Sequence, residues 1–210
     1  MTPLRCPAIR RVRQRRCVSR LLAVACHLVF LAGANGAWGQ EHSAGSRELS
    51  LSLDAGQTYP QGHRGFVEFV SSSIQTGRFV SRRVELLLDG DFMVLRQPAG
   101  RGSAVRETAK AASLGAGLRW YPAPSSWRVE PFAEIVEGLF YADRSVPAPG
   151  TRYNFLTRIG GGVQLPPGRA LRLFVKYRWV HISNANIRLP NPGVSFNDIS
   201  AGIGVVIPKA

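Results

Sequence analysis

A histidine and a serine two residues apart, His181 and Ser183, are the pair in this chain whose types and spacing suit chemistry. In an extended strand, side chains two apart share one face, with Cα atoms about 6.6 Å apart. An imidazole and a hydroxyl can meet across that gap when they lean together. Histidine is the usual base for activating serine, because it titrates near neutrality. The chemistry implied is nucleophilic attack by serine on an ester carbonyl. On spacing alone H-x-S says little, since most such pairs are solvated surface residues. The face they occupy says more. Leu171, Leu173, Val175, Tyr177 and Trp179 precede them on it, while Arg172, Lys176, Arg178 and Asn184 take the other. Polar groups on a face that meets lipid are expensive and tend to be functional.

The elements that must position the pair follow from a period-two pattern that recurs along the chain, where helix-period patterns are scarce. Leu49, Leu51 and Leu53 alternate with Ser50, Ser52 and Asp54, and Leu86 and Leu88 with Glu85 and Asp89. The same alternation predicts eight strands near 49–59, 66–75, 82–95, 112–121, 128–141, 153–165, 170–183 and 195–207. One face of these strands is apolar. The other carries Glu85, Asp89, Asp91, Arg119, Glu130, Glu134, Arg158, Lys176 and Arg178. Charges of both signs tolerate an interior when paired or hydrated, and a membrane barrel turns its apolar face outward. The fold expected is all-β, an eight-stranded antiparallel transmembrane β-barrel; a soluble lipocalin-like barrel is the rival. The connections 76–81, 122–127 and 166–169 are short, and 96–111, 142–152 and 184–194 are long. That parity matches short periplasmic turns and longer outer loops, and it sets His181 and Ser183 near the outer membrane surface. Trp120, Tyr121, Trp127, Tyr141 and Trp179 suit interfacial aromatic belts.

Net charge is +14, but the first 39 residues hold seven arginines and no acid. An apolar run over 21–32 follows, then a small-residue stretch ending Ala37-Trp38-Gly39. This reads as a secretory signal peptide over 1–39, leaving an outer-membrane barrel domain over 40–210 with a charge of +7. Cys6, Cys17 and Cys26 leave with the leader, so the exported chain has no disulfide and no thiol nucleophile. Export and dispersed basic residues argue against nucleic acid. His42, His63 and His181 lack metal-ligand spacing. Gly160-Gly161-Gly162 lies inside a strand with no helix after it, unlike a phosphate loop.

The segment His181-Ile182-Ser183-Asn184-Ala185-Asn186, followed by Pro190-Asn191-Pro192-Gly193, resembles the lipid A 3-O-deacylase (PagL-type) family. The likeness spans roughly residues 128–207. The resemblance implies a Gram-negative outer-membrane esterase that hydrolyses the 3-O-linked acyl chain of lipid A in lipopolysaccharide, with no cofactor and no metal. It implies Ser183 as nucleophile, His181 as general base and Asn184 as part of the oxyanion site. The family's third catalytic member, a glutamate, falls two residues after the turn glycine, where this chain has Ser195. Alternation sets Ser195 and Asn197 on the outward face, where either can reach His181, and turns Asp198 inward. Glu137, on the apolar face of the fifth strand, is a remote candidate. Arg101, Arg106, Lys110, Arg144, Arg152 and Arg188 are expected on outer loops, where they contact lipid A phosphates or are merely solvated. The alternative function is a non-catalytic barrel with a structural or lipopolysaccharide-binding role. A lipase or phospholipase acting on another acyl lipid is a third reading.

Overall fold

A computed structural model of the protein describes residues 42–58, 66–100, 102–122, 129–165 and 170–209. Several sequence expectations lie outside these residues: the leader 1–39 with its three cysteines, His63, Arg101 and Trp127. The described residues form eight antiparallel strands: β1 (Arg47–Gln57), β2 (Glu68–Phe79), β3 (Val84–Pro98), β4 (Arg106–Trp120), β5 (Glu130–Ala142), β6 (Tyr153–Leu165), β7 (Leu171–Ser183) and β8 (Val194–Ile207). Each pairs with the next, and β8 pairs back to β1 to close the barrel. Closure leaves no unpaired strand edge, which a wall against lipid requires.

The alternation turns the apolar side out. Leu53 is 73% exposed, and Leu88, Leu114 and Leu139 are likewise exposed, while Glu85, Arg119, Glu134, Arg178 and Asp198 are buried. An exposed apolar wall around a charged interior is the arrangement of a transmembrane barrel.

The interior has three levels. Its middle is an ion-pair lattice. Arg119 meets Glu134 at 2.8 Å and Glu85 at 3.3 Å, Arg158 meets Asp91 at 2.7 Å, and Arg178 meets Asp198 at 2.6 Å and Asp54 at 2.9 Å. Lys176 reaches Glu134 at 3.1 Å. The glycine run of β6 serves this lattice: Gly160 opposes Arg178 and Gly162 opposes Lys176. A Cβ on Gly160 would lie 2.1 Å from the Tyr177 carbonyl oxygen and 2.8 Å from Arg178 Cγ. The end where β1 begins and β8 stops is closed by Phe79, Tyr121, Phe132 and Phe174. His42 stacks on Phe79 with ring centroids 4.3 Å apart, and its Nε2 is 3.2 Å from Glu130. The opposite end, where β7 finishes, is filled by an apolar cluster that includes Phe69, Met93, Leu95, Phe140, Ile182 and Phe196.

Three expectations need correction. The third connection is 99–105, not 96–111, because the ladder persists through Arg96↔Thr108 and Pro98↔Arg106. Arg106 and Lys110 are therefore strand residues. Polar side chains hid the alternation there, although Ala109 and Ala111 point inward to the apolar cluster. The first connection, left at 60–65 by the expected strands 49–59 and 66–75, spans 58–67, which matches 143–152 and 184–193 at the same end. Tyr121 is not in an interfacial belt: it is 2% exposed, inside the terminal aromatic cluster, because it follows outward Trp120 by one residue.

Candidate active site

Register builds the site. His181 is opposite Thr157 of β6 on one side and Ser195 of β8 on the other, and Thr157 is in turn opposite Glu137 of β5. These four side chains form a polar row across the outward face, near the end where β7 stops. The inward neighbours Val180, Ile182 and Phe196 are buried in the apolar cluster and fix both strands from behind.

His181 is partly exposed. Its Nδ1 lies 2.9 Å from Ser195 Oγ, and its ring stacks on Trp179 at 5.4 Å with 9° between planes. With the hydrogen on Nδ1, Ser195 accepts it and Nε2 keeps its lone pair. Nε2 and Ser183 both flank Gly193. A Cβ on Gly193 would stand 3.3 Å from His181 Cε1, 3.7 Å from Nε2 and 3.8 Å from Ser183 Cβ. Gly193 also has φ +54°, a left-handed value that glycine adopts without cost. The missing side chain keeps clear the space that imidazole and serine share. Asn197 does not approach the ring, because its Oδ1 accepts a hydrogen bond from Tyr177 Oη. Asp198 is buried inside and paired with Arg178, as alternation predicts.

Asn184 is the first inward residue past the strand, and it holds the following turn. Its Nδ2 donates to the Arg188 carbonyl at 2.6 Å and to Thr151 Oγ1 at 3.2 Å, and its Oδ1 accepts from Asn186 N–H at 3.0 Å. Its own N–H donates to Asn191 Oδ1 at 3.1 Å. Ala185 and Asn186 take left-handed φ values of 52° and 63°. Such values in non-glycine residues persist only where the surroundings impose them.

The arginines suggested for phosphate binding are dispersed. Arg144 pairs with Glu107 at 3.3 Å, Arg152 is exposed where the loop returns to β6, and Arg188 is exposed in the loop beside the pair. Among the described residues, no hydrogen bond or ion pair joins these three to His181 or Ser183.

Beside the row, the outer wall carries a hollow of about 410 Å³ bounded by Leu88, Leu114, Leu139 and Phe155, with Gly115, Gly138 and, on its one charged side, Glu137 in its lining. Phe155 is the register partner of Ser183, so the hollow begins one strand away from that serine. Thr157 and Gly193 were the residues that sequence reasoning missed. Thr157 needs the β6–β7 register to be seen, whereas Gly193 was visible as a glycine closing a proline-rich turn.

With this geometry in view, three comparisons bear on the chain. The model of the family "Lipid A 3-O-deacylase (PagL)" matches residues 29–204. No curated protein matches in sequence. Among solved structures, the chain is similar to Neisserial surface protein A, with 16% identity and a TM-score of 0.56, covering 79% of this chain and 99% of that one. It is also similar to the outer membrane enzyme PagL, with 20% identity and a TM-score of 0.52, covering 74% and 97%. At these identities the structural likeness speaks for the barrel, whereas the family match covers most of the sequence, the H-x-S segment and its turn included. The chain belongs to the lipid A 3-O-deacylase (PagL) family.

Proposed function

We propose that the protein is an exported serine esterase of the Gram-negative outer membrane that removes the 3-O-linked acyl chain of lipid A. The observation that carries this reading is the outward placement of His181 and Ser183 on the apolar wall, with Ser195 holding the imidazole at 2.9 Å. An ester of a membrane lipid reaches such a pair without leaving the bilayer.

In the first step Ser183 Oγ bonds to the ester carbonyl carbon and its proton passes to His181 Nε2. The negative charge that forms on the carbonyl oxygen needs donors aimed at it. Asn184 serves there by fixing the turn that follows Ser183. The carbon–oxygen bond to the sugar then breaks, and the imidazolium returns its proton to the departing alkoxide. Water, deprotonated by the same imidazole, releases the fatty acid from Ser183. The apolar hollow beginning at Phe155 gives the acyl chain a place to lie, and Arg144, Arg152 and Arg188 stand on the loops above, where phosphates of lipid A suit guanidinium geometry. Separate hydrogen-bond donors and an apolar bed satisfy both ends of such a lipid.

The test is to express the chain in an outer membrane and weigh the lipid A. One acyl chain fewer, lost from the 3-position, supports the reading. Unchanged acyl number with folded protein present sinks it. The non-catalytic alternative draws on Ser195 standing where the family carries a glutamate; under it, Ser183→Ala leaves function intact.

A further inference from the structure

Glu137 is the charged side chain on this barrel's wall that packing does not explain. Among the described residues, the other outward-facing charges of the strands are Arg47, Glu68, Arg78, Arg96, Arg106 and Lys110. Those six lie no more than four residues from a strand end. Glu137 lies five residues from the nearer end of β5, and on β5 through β8 no other outward side chain is charged. A carboxylate on a lipid-facing wall is unfavourable and is seldom kept without a use. Neither neighbour in sequence needs it: Val136 is turned inward and buried, and Gly138 has no side chain. It is, moreover, held in one place. Thr157 Oγ1 donates a hydrogen bond to Glu137 Oε2 at 2.8 Å.

Thr157 is also the cross-strand partner of His181. Same-face partners of adjacent strands have Cβ atoms about 5 Å apart, so the bond to Thr157 draws the carboxylate to the β6 side, toward the imidazole. The groups facing that ring are Thr157 from β6, Ser195 from β8, Trp179 and Ser183 from β7 itself, and Gly193 from the loop. None of these carries charge at neutral pH. When His181 takes the proton of Ser183 it becomes a cation in surroundings of low dielectric, and a triad normally answers that with an anion.

We infer that Glu137, positioned by Thr157, supplies the negative charge that stabilises the His181 imidazolium, while Ser195 supplies only the orienting hydrogen bond. Two strands thus share the work that one acid performs in a Ser-His-acid triad. Glu137 is a positioning residue, acting on His181 across Thr157 rather than on the substrate. No atom is transferred to it. The inference rests on the serine-esterase reading proposed above.

The test compares wild type, Glu137→Gln, Glu137→Asp and Thr157→Val, refolded in detergent micelles, by three measurements. The first is turnover of purified lipopolysaccharide, followed as released fatty acid. The second is the rate at which a fluorophosphonate, which does not depend on lipid recognition, labels Ser183. The third is protonation of the His181 ring, followed by nuclear magnetic resonance. Glu137→Gln is expected to lower kcat by about 10-fold with KM within two-fold, to slow labelling by a similar factor, and to make the ring protonate only at lower pH than in wild type. Glu137→Asp restores part of the loss, and Thr157→Val gives a smaller loss of the same kind. Unchanged kcat and labelling in Glu137→Gln overturn the inference, and so does a loss confined to KM, which would place Glu137 against the lipid. The ring titration decides independently of substrate: coincident curves for wild type and Glu137→Gln overturn it even if lipid A is not hydrolysed. A wild type that labels and titrates as expected yet leaves lipid A intact overturns only the choice of substrate.

Discussion

Glu134 and Glu137 lie three residues apart on β5, one turned into the barrel and one turned out to lipid, and they live by different rules. Glu134 is buried and touched by Arg119, Lys176 and Arg178. Glu137 is exposed and held by the hydroxyl of Thr157. The same contrast recurs on β7, where Arg178 faces two aspartates inside and His181 faces one serine outside. Inside, each ion answers the cost of burying another, and removing one strands its partners. Outside, Glu137, Thr157, His181 and Ser195 each have one hydrogen-bond partner and one side left open. An interior network of this kind is bound to the fold, while the exterior row is bound to whatever arrives from the membrane.

The largest expected effect breaks the exterior row. Ser183→Ala should lower lipid A deacylation on the order of 10⁴-fold or more, since loss of a nucleophile removes the route rather than tuning it. Its resistance to urea in detergent should stay within about 0.5 kcal/mol of the parent, as for other substitutions outside a packed core. The interior should respond the other way. Arg119→Ala leaves Glu134, Glu85 and Glu48 without their shared cation. A cost of about 3–5 kcal/mol in urea unfolding is expected, with residual activity per folded molecule preserved because the row lies on the other face. If Arg119→Ala instead abolishes activity in protein that remains folded, the separation of the two regions is wrong.

How much of this was legible beforehand follows the same division. Side-chain alternation has a fixed period, so the eight strands, the outward face of His181, Ser183 and Ser195, and the inward turn of Asp198 could all be read from residue types. Partnership across strands could not. That Thr157 stands beside His181, or that Ser195 rather than Asn197 meets the ring, depends on register, and register is set by turn lengths and packing that no local pattern encodes. The apolar filling near the site was hidden for a related reason. Phe92 and Val94 face lipid while Met93 and Leu95 face inward, so that stretch is apolar on both sides and shows no alternation. Tyr121 was misread because aromatic residues serve equally at a membrane interface and in a barrel plug.

A smaller effect tests the open side of the row. Gly193→Ala adds a Cβ 3.3 Å from His181 Cε1 and asks alanine to hold a left-handed φ, which costs about 1–2 kcal/mol. The expected outcome is a loss of activity of about 10-fold in lipid A mass analysis with the barrel still folded. Activity equal to the parent would mean that the space beside Nε2 is not where the ester sits.

The smallest change is the most informative about Ser195. Its hydroxyl gives the imidazole a hydrogen bond and no charge, and a neutral bond of this kind contributes about 1 kcal/mol. Ser195→Ala should therefore reduce kcat by roughly five-fold, leaving KM and stability nearly as they were. Ser195→Glu places a carboxylate where the family carries one and should raise kcat, since it adds charge to orientation. The two carboxylates then act on one imidazolium, and effects on a shared partner are not additive. If Glu137 already supplies the charge, Ser195→Glu gains little in the wild-type background and much more in Glu137→Gln. Equal gains in both backgrounds would show that the two acids do not act on the same cation, and the outward row would reduce to His181, Ser183 and Ser195.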